Sequence, residues 1–281
     1  MEATEARLKE IAIRANDIRQ TIIAMLVSAK SGHTAGPLDM ADIFAALYFH
    51  VLRHNPKDPE WAERDWLILS CGHIAPVRYA TMAHAGYFPV EECTTLRQFG
   101  SRLQGHPERS ALPGLETTSG PLGSGLSQAA GIAYAARMDG KPNRIFCVTS
   151  DGEHDEGNIW EGVLFAGKYR LDNLTAIMDR NVIQIDGSTE DVLPLEPVAD
   201  KYRAFNWHII EINGHDIRAF IAACDEAAAT KGKPTMIIAR TISSKGIKSI
   251  EGNYHWHGKP PSAEEGERFV GELRAERATL V

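Results

Sequence analysis

Two short apolar runs, each ending in a polar turn, constrain the fold of this chain more than any other feature. Ile145-Phe146-Cys147-Val148-Thr149 leads into Ser150-Asp151-Gly152, and Leu174-Thr175-Ala176-Ile177-Met178 leads into Asp179-Arg180-Asn181. Runs of this length bounded by turn residues read as buried strands, and the helical pattern over 157–170 between them makes the pair parallel. Further strands are expected at 66–69, 207–212 and 235–241, and further helices at 5–29, 38–53, 124–138 and 216–231. In the first helix Leu8, Ile11, Ala15, Ile18, Ile22 and Met25 recur at three and four, which gives one apolar stripe. Alternating strands and helices predict an α/β fold, a parallel sheet with helices on both faces. Without an internal repeat, a low-complexity tract or a linker, 1–281 reads as a single domain, with a charged, peripheral C-terminal helix over 262–281.

The 281 residues are 43% hydrophobic and 24% charged, enough apolar surface for a sizeable core and too much for a disordered chain. The net charge of −7 and the lack of a long basic run exclude a nucleic-acid footprint. Cys71, Cys93, Cys147 and Cys224 are far apart with no C-x-x-C pair, so free thiols in a reducing compartment are expected. Glu5, Arg7, Lys9 and Glu10 leave no room for a basic-then-apolar leader, and no apolar run approaches the ~20 residues of a membrane span. A soluble cytoplasmic protein with no nucleic-acid or membrane partner is the expectation.

In an open parallel sheet, ligands bind outside the carboxyl ends of the strands. Asp151 and Asn181 therefore fall side by side at one rim. A carboxylate and an amide carbonyl form an all-oxygen set, suited to Mg²⁺ or Ca²⁺ and not to zinc. Magnesium usually takes one or two carboxylates plus phosphate oxygens, so the set suits a diphosphate-bridging ion. Gly152 lets backbone approach a phosphate closely. Two other signals carry less. Gly162 to Tyr169 nearly spells a P-loop, but it lies in a helical pattern and has Tyr169 where Ser or Thr belongs. His255-Trp256-His257 lacks further metal ligands nearby.

With these residues in place, the chain resembles the thiamine diphosphate enzymes, whose signature is G-D-G followed by Asn about 30 residues on; Ser150 stands where the signature has its first glycine. From about residue 7 to residue 265 it resembles the N-terminal, diphosphate-binding half of transketolase. The motifs that carry this, in order, are Ser31-Gly32-His33, Leu69-Ser70-Cys71-Gly72-His73, Gly105-His106-Pro107-Glu108, Glu116 to Gly123, Ser150 to Glu153 with Glu156-Gly157, Asn181 to Gly187, and Trp256-His257-Gly258-Lys259-Pro260. The resemblance implies a thiamine diphosphate-binding fold. It implies that Asp151, Asn181 and the main-chain oxygen of Ile183 hold Mg²⁺, for which Ca²⁺ or Mn²⁺ can substitute. Leu122 and Ile185 would pack on the cofactor rings, and Gly120 and Gly152 would approach it through the backbone. His33, His73, His106 and His257 would line the reaction pocket, with His73 and His257 also against the cofactor. Glu156 would lie at a subunit interface near it.

Ketol transfer moves a two-carbon unit from a ketose to an aldose, and protons must move at hydroxyls and carbonyls near neutral pH. Histidine is the side chain suited to that work. The resemblance also implies a partner. In the family a glutamate that activates the aminopyrimidine belongs to a second, pyrimidine-binding domain, for which this sequence has no room. The expectation is therefore the N-terminal subunit of a split transketolase acting on sugar phosphates, paired with a C-terminal subunit in an α2β2 assembly. Two alternatives stand beside it: the α subunit of another thiamine diphosphate enzyme, of the 2-oxo acid dehydrogenase or deoxyxylulose-phosphate synthase kind, and a non-catalytic cofactor-binding subunit.

Overall fold

The computed structural model describes residues 3–280; residues 1, 2 and 281, which belong to the expected 1–281 domain, lie outside the described residues. In chain order the helices α1 (Glu5–Ala29), α2 (Ala35–Asp39) and α3 (Ala41–Ala46) precede strand β1 (Trp66–Leu69). Helices α4 (Ala75–His84) and α5 (Ser124–Met138) lead to β2 (Ile145–Ser150), and α6 (Gly157–Tyr169) leads to β3 (Leu174–Arg180). A small ribbon, β4 (Ile183–Gln184) and β5 (Gly187–Ser188), is followed by α7 (Thr189–Val192) and α8 (Val198–Ala204). Strand β6 (His208–Asn213), helix α9 (Ile217–Ala229), strand β7 (Thr235–Arg240) and helix α10 (Ala263–Leu280) complete the chain. The main sheet has the order β1-β2-β3-β7-β6, parallel throughout.

The period-2 alternation of the central strands explains the two cores. Phe146, Val148, Ile177 and Ile237 face a core built with α1, α3, α4 and α9. Ile145, Cys147, Ala176, Met178 and Ile238 face a second core built with α5, α6 and α8. A strand buried on both faces needs an apolar residue at every position, which is why these strands read as continuous runs. The register sets Ser150 beside Asp179, so the β2 and β3 turns emerge next to each other.

The segment expected as one helix over 38–53 is divided. It begins earlier, at Ala35, breaks at Met40 between α2 and α3, and closes with a wider π turn over Leu47–Val51. Its final carbonyls are taken by arginine: Arg7 donates to the Phe49 carbonyl and Arg144 to that of Val51. Capture by these side chains substitutes for a further helical turn, and Leu52 is already extended. The C-terminal helix lies along α1. Phe269 and Leu273 are fully buried, and an added Cβ on Gly266 would meet Val27 Cγ2 at 2.5 Å. Asn16 Nδ2 donates to the Leu273 carbonyl at 2.9 Å, and Arg277 pairs with Asp17 at 2.6 Å. Among the described residues all four cysteines are free and buried, and no helix is long and apolar enough to cross a membrane.

Candidate active site

The rim above β2 and β3 forms one wall of a cleft of about 210 Å³, lined by Asp151, Gly152, Asn181, Ile183, Ile185, Leu122, His73 and His257 among others. The Asp151 amide donates to the Asp179 carbonyl at 3.1 Å, which extends the strand pairing by one residue and fixes the turn. Asp151 Oδ1 accepts from the Gly152 amide at 2.8 Å. Its Oδ2 accepts from the Val182 amide at 2.8 Å and from Arg180 Nη1 at 3.1 Å. Burial pushes the Asp151 carboxyl up to about 6, against the pull of the Arg180 guanidinium. Asn181 Oδ1 accepts from the Ile183 amide at 3.1 Å, while its Nδ2 points away, toward Asp39 and Asp179.

These residues fit a small hard cation. Asp151, Asn181 and Ile183 share the cleft and offer carboxylate, amide and main-chain oxygen. Asp151 Oδ1 and Asn181 Oδ1 each accept one hydrogen bond, which leaves a lone pair for a metal. Among the described residues no group of three His, Cys, Asp or Glu is arranged for a metal. An added Cβ on Gly152 would come within 3.0 Å of Gln184 Cγ, so a larger residue in this turn would have to displace the Gln184 side chain. Leu122 and Ile185 are 42% and 64% exposed at the mouth, apolar surface available to a ring.

Sequence reasoning missed Glu153, the buttress of this wall. Its Oε2 accepts from Ser70 Oγ and the Gly123 amide, both at 2.9 Å, and its Oε1 from the Ser150 amide at 2.9 Å. Ser70 Oγ in turn accepts from the Gly125 amide at 3.1 Å. One buried carboxylate thus gathers the loop after β1, the glycine-rich loop before α5 and the end of β2. Burial raises it to about 7, while the donors around it favour the ionised form. The ionisable residue two places after Asp151 was the available signal.

The opposite wall is imidazole. The ring centroids of His33 and His73 are 4.8 Å apart, those of His33 and His257 5.5 Å, and those of His73 and His257 5.7 Å. His106 lines a neighbouring cavity with Arg97 and Ser119: an added Cβ on Gly72 would lie 3.1 Å from its Cδ2, and one on Gly120, where φ is +144°, 3.7 Å from its Cγ. Burial lowers the pKa of all four, His33 to about 4 with help from His257, Arg97 and His106. They are neutral at pH 7. Nδ1 of His33 and Nδ1 of His257 are buried without a partner. Thr34 Oγ1 donates to the Lys259 carbonyl at 2.6 Å and so ties the two histidine loops together. Arg97, also missed, donates to Ser31 Oγ at 2.9 Å. Glu156 stands at the N-cap position of α6 with its side chain against Gly123, outside the cleft lining, and the His255 ring lies tilted against that of Tyr254, their centroids 4.1 Å apart.

A parallel α/β sheet whose rim sets carboxylate, amide and main-chain oxygens opposite imidazoles has the chemistry to hold a cation-bridged diphosphate and to move protons beside it. The family profile of the transketolase thiamine diphosphate-binding domain matches residues 11–274, and the chain belongs to this family of ketol-transferring, thiamine diphosphate-dependent enzymes. It is 42% identical, over 94% of its length and 96% of the relative's, to one subunit of a 6-deoxy-6-sulfo-D-fructose transketolase of Clostridium sp.. It is 40% identical to one subunit of an apulose-4-phosphate transketolase of Actinobacillus succinogenes, over 95% and 97% of the two chains. Among solved structures it superposes on the transketolase from Leishmania mexicana with a TM-score of 0.87 at 32% identity, covering all of this chain and 46% of that one. The chain thus spans nearly the whole of the subunit-type relatives and less than half of that solved transketolase. The alternative reading as part of a 2-oxo acid dehydrogenase or deoxyxylulose-phosphate synthase is not favoured by these matches.

Proposed function

We propose that this chain is the N-terminal subunit of a two-chain transketolase, transferring a two-carbon ketol unit from a ketose phosphate to an aldose phosphate in the cytoplasm. The observation that carries this reading is the oxygen-donor wall facing His73 and His257 across one cleft, with the His33 ring packed against both. Asp151, Asn181 and the Ile183 carbonyl would hold Mg²⁺ and, through it, the diphosphate of thiamine diphosphate. When bound, the cofactor supplies the electron sink that makes cleavage beside the donor carbonyl possible. His33 and His257 have the protonation state to accept a hydroxyl proton as the donor is cleaved and return it to the acceptor carbonyl, and their unpartnered Nδ1 atoms are available for substrate or for orientation. His73 and His106 orient the same hydroxyls. A merely cofactor-storing subunit would need only the oxygen wall.

Near-complete coverage of the relatives named as subunits supports a partner subunit, which we take to bear the pyrimidine-binding domain; an α2β2 assembly is part of the proposal. A second reading of the substrate follows from the 42% identical relative: a donor bearing a sulfonate, as 6-deoxy-6-sulfo-D-fructose does, in place of a phosphate. The test is a coupled ketol-transfer assay with both donors. Turnover is expected only when the partner is added, saturating at one to one. Full turnover by this chain alone would overturn the two-chain reading.

A further inference from the structure

The cofactor reading leaves unexplained two buried carboxylates behind the metal ligands. Asp39 ends α2 and is fully buried, and Asp179, in β3, is 2% exposed. Both face the amide of Asn181: its Nδ2 lies 2.8 Å from Asp39 Oδ2 and 3.3 Å from Asp179 Oδ2. Thr241 Oγ1 donates to the other oxygen of Asp179 and fixes that carboxyl in place. Helix α2 is equally fixed, since an added Cβ on Gly36 would meet Ile74 Cγ2 at 2.7 Å.

An amide nitrogen has two hydrogens and no lone pair to offer. With a carboxyl oxygen in front of each hydrogen, the amide has one acceptable orientation. Rotated by half a turn, Nδ2 would face the Ile183 N–H, donor against donor, and neither carboxyl would meet an amide hydrogen. The pair therefore dictates that Oδ1 looks into the cleft. Burying two carboxyls side by side is costly, and apolar residues of like volume would serve stability better. A role in orientation explains their presence.

Resting on the cofactor reading above, we infer that Asp39 is a positioning residue of the cation site: together with Asp179 it locks the Asn181 side chain so that its carbonyl oxygen faces the metal. Asp39 reaches Asn181 across 142 residues of sequence, from a helix that supplies no ligand.

The test compares Asp39→Asn, which keeps an acceptor oxygen, with Asp39→Leu, which keeps the volume and removes the acceptor. Uptake of Mn²⁺ in the presence of thiamine diphosphate is followed on the full chain by the loss of the free Mn²⁺ paramagnetic resonance signal. Asp39→Leu should weaken uptake ~10- to 100-fold, the usual effect of removing a group that orients a metal ligand. Asp39→Asn should stay within about threefold of the parent, a bound set well inside that ~10-fold effect. The melting temperature of the metal-free protein should hold or rise in Asp39→Leu, whereas a purely structural role would lower it. If Asp39→Leu does not fold, Asp39→Ala provides the same contrast without added bulk. Uptake unchanged in the acceptor-less variant, or equally poor in Asp39→Asn, overturns the inference. Asp151→Ala serves as the control: if it binds Mn²⁺ and cofactor as the parent does, the cofactor reading itself has failed.

Discussion

On the oxygen wall of the cleft, the side chains proposed to hold the cation are already engaged by their own chain. Asp151 accepts from two amides and an arginine, Asn181 is held at both ends, and Glu153 draws three loops together. On the imidazole wall, two ring nitrogens are buried with no partner at all. Buried polar atoms are normally satisfied, and those left over mark where a ligand belongs. The side chains of the oxygen wall are thus braced by their own chain and suited to hold, although Asp39 Oδ1 and Arg180 Nε there are also unpartnered; the imidazole wall leaves ring nitrogens without any brace, beside the space for what reacts. The difference predicts that substitutions on the two walls damage different quantities.

The largest effect is expected from Asp151→Ala, which removes the charged ligand of the set. Cation-dependent affinity for thiamine diphosphate should fall by more than ~100-fold, beyond what loss of a merely supporting group costs. Titration calorimetry with Mg²⁺ and cofactor reads this directly. Unchanged affinity would break the comparison on its holding side.

Next in size are His33→Ala and His257→Ala. In the enzyme reconstituted with its partner, each should lower kcat by ~10²-fold, the lower end of the range for groups that move protons. Cofactor affinity should change little. A variant that loses cofactor but keeps turnover per bound site would move that histidine to the holding wall and sharpen the boundary between the two.

The walls were also unequally legible. The strands of the oxygen wall announce themselves as apolar runs, so Asp151 and Asn181 could be placed at adjacent strand ends from pattern alone. The sheet register then sets their turns side by side. The buttresses were invisible because they act across the sequence: Ser70 meets Glu153 over 83 residues and Asp39 meets Asn181 over 142. No periodicity encodes such a pair. The histidines were found only through the resemblance, since their loops have no period. Among helices, composition misled in one place. The C-terminal helix is charged overall, yet its buried Gly266, Phe269 and Leu273 recur at three and four and seat it on α1. The π turn after α3 is closed by tertiary capture of its carbonyls by Arg7 and Arg144, which propensity does not register.

The smallest predicted effect tests the electrostatic side of the contrast. An unperturbed histidine titrates near 6.5, whereas His33 in the fold is held at about 4 by burial and by His257, Arg97 and His106 around it, with His73 beside it. Between those values the unfolded chain binds a proton that the folded chain refuses. Stability linked to His33 is therefore intact above about pH 6.5 and lost as pH falls toward 4. The oxygen wall has the opposite sign. Glu153 is raised from 4.5 to about 7, so its contribution is present below about 4.5 and lost as pH rises toward 7. The two trends oppose one another in the parent, so the informative quantity is the difference between the parent and His33→Gln. From pH 7.5 to pH 5 the variant should gain about 2 kcal/mol relative to the parent, because about 1.5 pH units of the His33 shift are traversed. Urea unfolding of both proteins at a series of pH values measures it. A difference that stays flat across that range would mean that His33 is as well solvated as a surface histidine, and the imidazole wall would then lose the desolvation that keeps it neutral.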